Sequence, residues 1–300
     1  MLPELRQMFY FAVNLNAMNA SFRFLGSFSL LIIFNCSCAQ LNSINRYSSL
    51  SAKSIQLFNG LGYSFQKHCE EVCLLTAIKT HDIERRLDCS CATYKKADSI
   101  TFQIHQIIQG YFNGLAQLSE GSLSDYTLTQ LNENLSTGNF ASIKIAPKHV
   151  DAFSKISGLM LKASTDVYKK KKLNSFIAEA NDPLQILLSK FEFILQNNLK
   201  VELDFQKEKL YSAFKPIILK ADNTNFDKTQ ASYFYYKKLD EINRQQNRIS
   251  AYARCLHQIA SGHQWLFNHR HELKEKDVRR ALMRYNQNIQ DFSVDFITLN

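Results

Sequence analysis

Apolar residues recur three and four positions apart over long stretches of this chain, and this spacing restricts its possible folds more than any other feature. The spacing matches the 3.6-residue turn of an α-helix that buries one stripe against its neighbours. It is strictest at Tyr235, Leu239, Ile242, Gln246, Ile249, Ala253, Leu256, Ala260, His263 and Phe267. Only nine glycines and four prolines occur in 300 residues, too few for the turns of a strand-rich protein. The sequence therefore predicts an all-α fold, an elongated antiparallel helical bundle with coiled-coil-like seams.

Breaks in this periodicity predict the organisation of the chain. Residues 1–39 form a signal-peptide region, and residues 40–300 form a single helical-bundle domain. Residues 119–147 are rich in serine, threonine, asparagine and glycine, which predicts a loop-rich insert and the best candidate for a functional loop. Asp182-Pro183 is typical of an N-cap followed by the first helical residue, and residues 221–227 read as a linker. A last helix is expected over Leu273–Phe292.

The segment from Arg23 to Gln40 has the pattern of an export signal. An arginine precedes an apolar stretch of about 11 residues, which is too short to span a bilayer as a helix. Small residues at Ser37 and Ala39 then form a cleavage site that would leave Gln40 as the new N-terminus. Met18 is an alternative start that gives a shorter leader.

Two cysteines near the same site allow a second interpretation of the leader. Cys36 and Cys38 directly follow the apolar stretch, where a bacterial lipoprotein is cut and lipidated. The residues that precede them fit that consensus poorly, so plain secretion is the preferred interpretation and lipidation the alternative. An uncleaved anchor is a third.

The charge of the chain favours acidic partners. The formal net charge is +9 at pH 7, and the densest positive run is Lys169, Lys170, Lys171 and Lys172. For an exported protein, the acidic surfaces are lipid headgroups or cell-wall polymers rather than nucleic acid. The lysine run is either a solvated helix face or a contact with such a surface.

Four clustered cysteines carry the most specific chemistry in the sequence. A turn near His81 would form a hairpin in which Cys73 lies opposite Cys89, as a disulfide requires. Cys69 and Cys91 could form a second bridge beside it, but Cys89 and Cys91 can both face the partner helix only where the backbone is irregular. A four-cysteine zinc site is the alternative, with a spacing that is not common for zinc.

The remaining polar and aromatic residues predict structural roles. His263 occupies the seam and reads as a buried, hydrogen-bonded core histidine, and Cys255 reads as a small buried residue. Tyr233-Phe234-Tyr235-Tyr236 would cover every side of a helix, which predicts packing, or contact with a carbohydrate or a partner. The chain lacks the common hydrolase, zinc-protease, phosphate-loop and dinucleotide motifs, so we predict no catalytic residue, metal site or cofactor.

The segment AYARCLHQIASGHQWLFNHRHEL resembles the C-terminal ends of uncharacterised, exported all-helical bacterial proteins, including lipoproteins. The resemblance implies the compartment and the fold class, and no activity. We therefore expect a non-enzymatic helical protein of the bacterial envelope that acts as an adaptor or surface-binding module. A membrane-active protein of the pore-forming type is one alternative, and a metal-binding protein or enzyme with Cys or His ligands is another.

Overall fold

A computed structural model describes residues 41–82, 84, 89–120, 135–163, 173–271 and 275–299. Most of these residues are helical, so the predicted all-α class is confirmed. A single turn of 3-10 helix follows the first helix at Leu57–Gly60. The helices are α1 (41–56), α2 (Phe65–Thr80), α3 (Ala92–Glu120), α4 (Pro147–Ala163), α5 (Leu173–Phe193), α6 (Lys200–Leu219), α7 (Asn225–Asn268) and α8 (Glu275–Thr298).

The helices pack around one continuous apolar core. Side chains from all eight helices contribute to it. The hydroxyl of Tyr47 donates a hydrogen bond to the Ile259 carbonyl oxygen at 2.5 Å, which joins α1 to α7. The Ile55 carbonyl accepts from the hydroxyl of Tyr252 at 2.8 Å. These long-range contacts fix α1 between its neighbours.

The stripe predicted for the C-terminal segment is the buried face of α7. Six of its ten residues are buried, among them Gln246 and His263, and the other four are partly buried against the core. With 44 residues, α7 spans about 66 Å. It contacts α5, α6 and α8, so it is the common support of the bundle.

The break predicted at Asp182-Pro183 is wrong. α5 continues through Pro183 to Phe193, a π-helical segment follows over Ile194–Leu199, and α6 continues from there. Pro183 removes one backbone donor, but its ring is buried. The neighbouring Asn181 donates from its side-chain amide to the Oε1 atom of Gln264 on α7 at 3.2 Å. Packing against α7 therefore outweighs the local preference for a break.

Most of the described residues of the loop-rich insert predicted at 119–147 form regular structure. α3 extends to Glu120, and α4 begins at Pro147. Strands β1 (Gly138–Phe140) and β2 (Ile143–Ile145) form an antiparallel hairpin between them. Ile143 and Ile145 are buried, so the hairpin is anchored in the core. Residues 121–134 lie outside the described part of the chain.

The linker predicted at 221–227 is reduced to residues 220–224. α7 already begins at Asn225, because Thr224 caps it. The Thr224 hydroxyl accepts from the backbone of Asp227, and the Asp227 carboxylate accepts from the backbone of Thr224, which satisfies two free donors of the first turn. The last helix ends at Thr298, beyond the predicted Phe292.

Candidate binding surfaces

Two disulfides staple the hairpin of α2 and α3. They join Cys69 to Cys91 and Cys73 to Cys89, with Cα–Cα distances of 5.9 and 6.4 Å. Cys89 and Cys91 precede the first residue of α3, in a segment with no regular secondary structure. This irregular backbone lets both side chains face α2, which a regular helix would prevent.

The zinc interpretation of these cysteines does not hold, because all four sulfur atoms are paired in disulfides. Throughout the described ranges, no group of three or more His, Cys, Asp or Glu side chains is placed to hold a metal ion. The cysteine cluster is therefore a structural staple.

Charged and polar contacts tie the stapled end to the rest of the molecule. The carboxylate of Asp98 on α3 accepts from the backbone nitrogens of Phe65 and Gln66, at 2.8 and 2.9 Å. Lys238 on α7 forms an ion pair with Glu71 on α2 at 2.9 Å. These contacts hold α2 against α3 and α7.

His263 is fully buried and hydrogen-bonded, as predicted. Its Nε2 atom lies 2.7 Å from the Tyr111 hydroxyl, and its Nδ1 atom lies 3.2 Å from Oδ1 of Asn181. In the neutral ring, Nδ1 donates to the amide oxygen and Nε2 accepts from the phenol. Burial lowers the pKa of His263 to about 3. Since water cannot reach the ring, this network fixes the packing of α3, α5 and α7 rather than performing chemistry.

An aromatic face covers the solvent side at the start of α7. It consists of Phe226, Tyr233, Phe234 and Tyr236, whose side chains are 70, 59, 53 and 63 % exposed. Tyr235 points the other way and packs on Phe214 of α6, with ring centroids 6.4 Å apart. The cluster therefore divides into one packing residue and a surface of exposed rings.

Lysines and further exposed apolar side chains occur in α6, in the first part of α7 and in the turn between them. Residues 205–238 contain seven lysines and three acidic residues, and two of these lysines, Lys207 and Lys238, pair with carboxylates. Leu219, at the end of α6, is 68 % exposed. The Nζ atom of Lys215 lies 5.1 Å from the ring centroid of Tyr211. This combination of exposed rings and lysines is unusual for a solvated helix face.

A polar groove of about 820 Å³ lies between α5, α7 and α8. One wall comes from α5 and the π-helical segment, the other from α7, and Tyr285 of α8 closes one side. Its lining residues are Gln185, Ser189, Glu192, Phe193, Gln196, Asn197, His257, Ala260, Ser261, Gln264, Trp265, Asn268 and Tyr285. π-helical turns frequently mark functional sites, and here the segment supplies Gln196 and Asn197.

The other predicted site residues lie outside the described part of the chain. These are the lipidation candidates Cys36 and Cys38 and the basic run Lys169, Lys170, Lys171 and Lys172. The groove was not predicted, because its two walls are far apart in the sequence. The usable signal was the three- and four-residue spacing of the polar residues His257, Ser261, Gln264 and Asn268.

Comparison of the chain with protein families, with curated proteins and with solved structures finds no match. Of the helices that the structure describes, none has the length and apolar content needed to cross a bilayer.

Proposed function

We propose that the protein is a non-enzymatic, exported helical protein of the bacterial envelope and acts as a surface-binding module. Two disulfides support export, because such bonds persist in oxidising compartments and are rare in the cytosol. The apolar segment before Gln40 supports the same compartment. The intact mass of the exported protein distinguishes cleavage before Gln40 from lipidation at Cys36 or Cys38.

The aromatic face is the observation that carries the binding role. Tyrosine and phenylalanine rings bury their apolar parts at the boundary between headgroups and acyl chains. Nearby lysines are attracted to anionic lipid by about 1 kcal/mol each. Phe226 and Leu219 are the most exposed large apolar residues described, and they flank the α6–α7 turn. We therefore assign this end of the bundle to contact with an anionic lipid surface.

A lipid surface explains the face better than a hydrated cell-wall polymer. The lysines could pair with either, but only a bilayer offers an apolar phase in which Phe226 and Leu219 leave water. We expect the protein to stay at the surface of the bilayer, because the exposed apolar side chains of this face are few and lie at one helix hairpin.

Sedimentation with vesicles tests this function. We expect the protein to bind vesicles that contain phosphatidylglycerol more tightly than vesicles of phosphatidylcholine alone, and more weakly as salt increases. Phe226→Ser combined with Tyr233→Ser removes two rings from one line of the helix, and binding should weaken about tenfold or more.

The matched control removes two exposed apolar side chains elsewhere. Val294 and Ile297 on α8 are 57 and 53 % exposed, and their replacement by serine should leave vesicle binding unchanged. Equal losses in both double variants would show that overall hydrophobicity, rather than the aromatic face, drives binding. An absence of binding by the wild-type protein would refute the proposal.

A further inference from the structure

The walls of the polar groove carry polar side chains where helix interfaces are normally closed by leucines. Gln185, Ser189, Glu192 and Gln196 follow one another at three- and four-residue spacing. His257, Ser261, Gln264 and Asn268 do the same along α7. On the core side of α5, the residues are Leu184, Leu187, Leu188 and Phe191, all buried. The α5–α7 interface is thus closed by apolar side chains on the side of the core, and it opens to solvent on the side of the groove.

The groove is almost free of charge in a strongly basic protein. Its lining contains no lysine or arginine, although the chain has a net charge of +9. Glu192 is its only carboxylate, and this group lies 3.6 Å from the Nδ1 atom of His257. The lining thus contains a carboxylate and no lysine or arginine, and a described cation beside it, the Nζ atom of Lys190, lies against the Phe193 ring, 5.0 Å from its centroid. We therefore expect this lining to favour a neutral ligand over an anion.

Several hydrogen-bonding groups of the groove are available to a ligand. Within the described chain, the side chains of Ser189, Gln196, Asn197 and Ser261 form no hydrogen bond. Each amide offers donors and acceptors, and each hydroxyl offers both roles. Sugar hydroxyls also donate and accept, so they match such a lining, whereas an apolar ligand would leave these groups unpaired.

Aromatic rings complement these polar groups. Trp265, Tyr285 and Phe193 contribute to the lining, and Phe193 is 50 % exposed. The Trp265 ring stacks on His269, with centroids 4.3 Å apart and planes 17° apart, which holds the indole in place. The C–H faces of pyranose rings are apolar and pack on such rings, while their hydroxyl edges remain free for the amides.

We propose that the polar groove binds a neutral oligosaccharide. The amide and hydroxyl side chains on both walls hydrogen-bond to its hydroxyl or acetamido groups, and the aromatic residues pack on its sugar rings. A volume of about 820 Å³ accommodates a short segment of such a chain. This activity goes beyond attachment to lipid and does not depend on it, because the groove and the aromatic face occupy separate segments of α7.

The position of Trp265 provides a direct test, because it is the only tryptophan in the chain. The full-length exported protein is titrated with oligomers of N-acetylglucosamine and of glucose, and tryptophan fluorescence is recorded. We expect a saturable change for at least one series, with affinity that increases with oligomer length. Isothermal calorimetry should give the same dissociation constant.

A double variant shows whether binding occurs in the groove. Ser189→Leu with Asn197→Leu fills it at two exposed positions, and affinity should fall at least tenfold. Ser175→Leu with Asn243→Leu makes the same changes at exposed positions of α5 and α7 that do not line the groove, and it should bind like the wild type. Circular dichroism verifies that both variants are folded.

Three results would overturn the proposal. They are the lack of a saturable signal with any neutral oligosaccharide, equal affinity in the two double variants, and a signal that appears only with acidic saccharides. Vesicle binding is measured in a separate experiment. A protein that fails to bind vesicles can still bind an oligosaccharide, and a protein that fails to bind an oligosaccharide can still bind vesicles.

Discussion

The buried histidines illustrate how single residues in this protein couple stability to pH. His263 and His105 are both buried, and burial lowers their pKa values to about 3 and about 4. The ordinary value of 6.5 applies to the unfolded chain, so the unfolded state binds protons first as the pH falls. Stability is therefore complete above about pH 6.5 and decreases as the pH falls toward the folded-state values.

We expect His263→Gln to reduce this pH dependence. Between the two pKa values, one such histidine contributes a slope of about 1.4 kcal/mol per pH unit to the free energy of unfolding. Glutamine can retain hydrogen bonds to Tyr111 and Asn181 but does not titrate. Urea unfolding at several pH values measures the slope. An unaltered slope in the His263 variant would contradict the prediction.

Gly262 is a second position where a single residue affects stability, because there is no room for a side chain beside it. A Cβ atom there would lie 2.7 Å from Cε2 and 2.9 Å from the hydroxyl of Tyr47. That ring is fully buried and bonded to Ile259, so it cannot move aside. Gly262→Ala should lower the free energy of unfolding by about 1–3 kcal/mol.

Gly158 in α4 is the matched control for this substitution. Nothing lies within 4 Å of the position that its Cβ would take. Gly158→Ala should therefore stabilise the protein by about 0.5–1 kcal/mol, because alanine favours helices. Denaturant unfolding of the two variants compares them, and changes of the same sign would show that contact with Tyr47 is not the cause.

At the scale of elements, the α2–α3 hairpin depends on two nested disulfides. They join residues 22 and 16 positions apart. When one bridge already closes the hairpin in the unfolded chain, the other closes only a small additional loop and therefore removes less entropy from the unfolded state. Replacing either pair by serine should cost about 2–3 kcal/mol, and replacing both about 5–6 kcal/mol, so the second removal costs more than the first.

Denaturant unfolding of the three variants measures these costs. A thiol reductant should lower the midpoint of the wild-type protein and leave the four-serine variant unchanged. The bridges would have no stabilising role if the reductant left the wild-type midpoint in place.

At the scale of the whole molecule, α7 carries both proposed surfaces. The aromatic face begins at Phe226 and ends at Tyr236, and α7 enters the groove from His257 onward. Tyr236 and His257 are 21 positions apart, which corresponds to about 32 Å of helix. A protein held on lipid at one end could therefore engage a saccharide farther along the same helix.

The sequence alone determined the helical class, the buried stripe of α7 and the burial of His263, and it predicted which cysteines face one another while leaving a zinc site open. These features depend on spacing along one helix or across one hairpin, and such periodicity is local. Where a local preference competed with distant contacts, sequence reasoning failed. Pro183 indicated a helix end, yet the burial of its ring and the contact of Asn181 with α7 keep the helix intact.

Only the tertiary structure decided where surfaces form. Gln196 and Asn197 meet Ser261 and Gln264 because α5 and α7 pack side by side, although more than 60 residues separate them in the chain. The sequence also could not decide which of the four consecutive aromatic residues faces inward, because that depends on how α6 contacts α7. Helices follow from local periodicity, whereas grooves and exposed faces follow from how helices pack against one another.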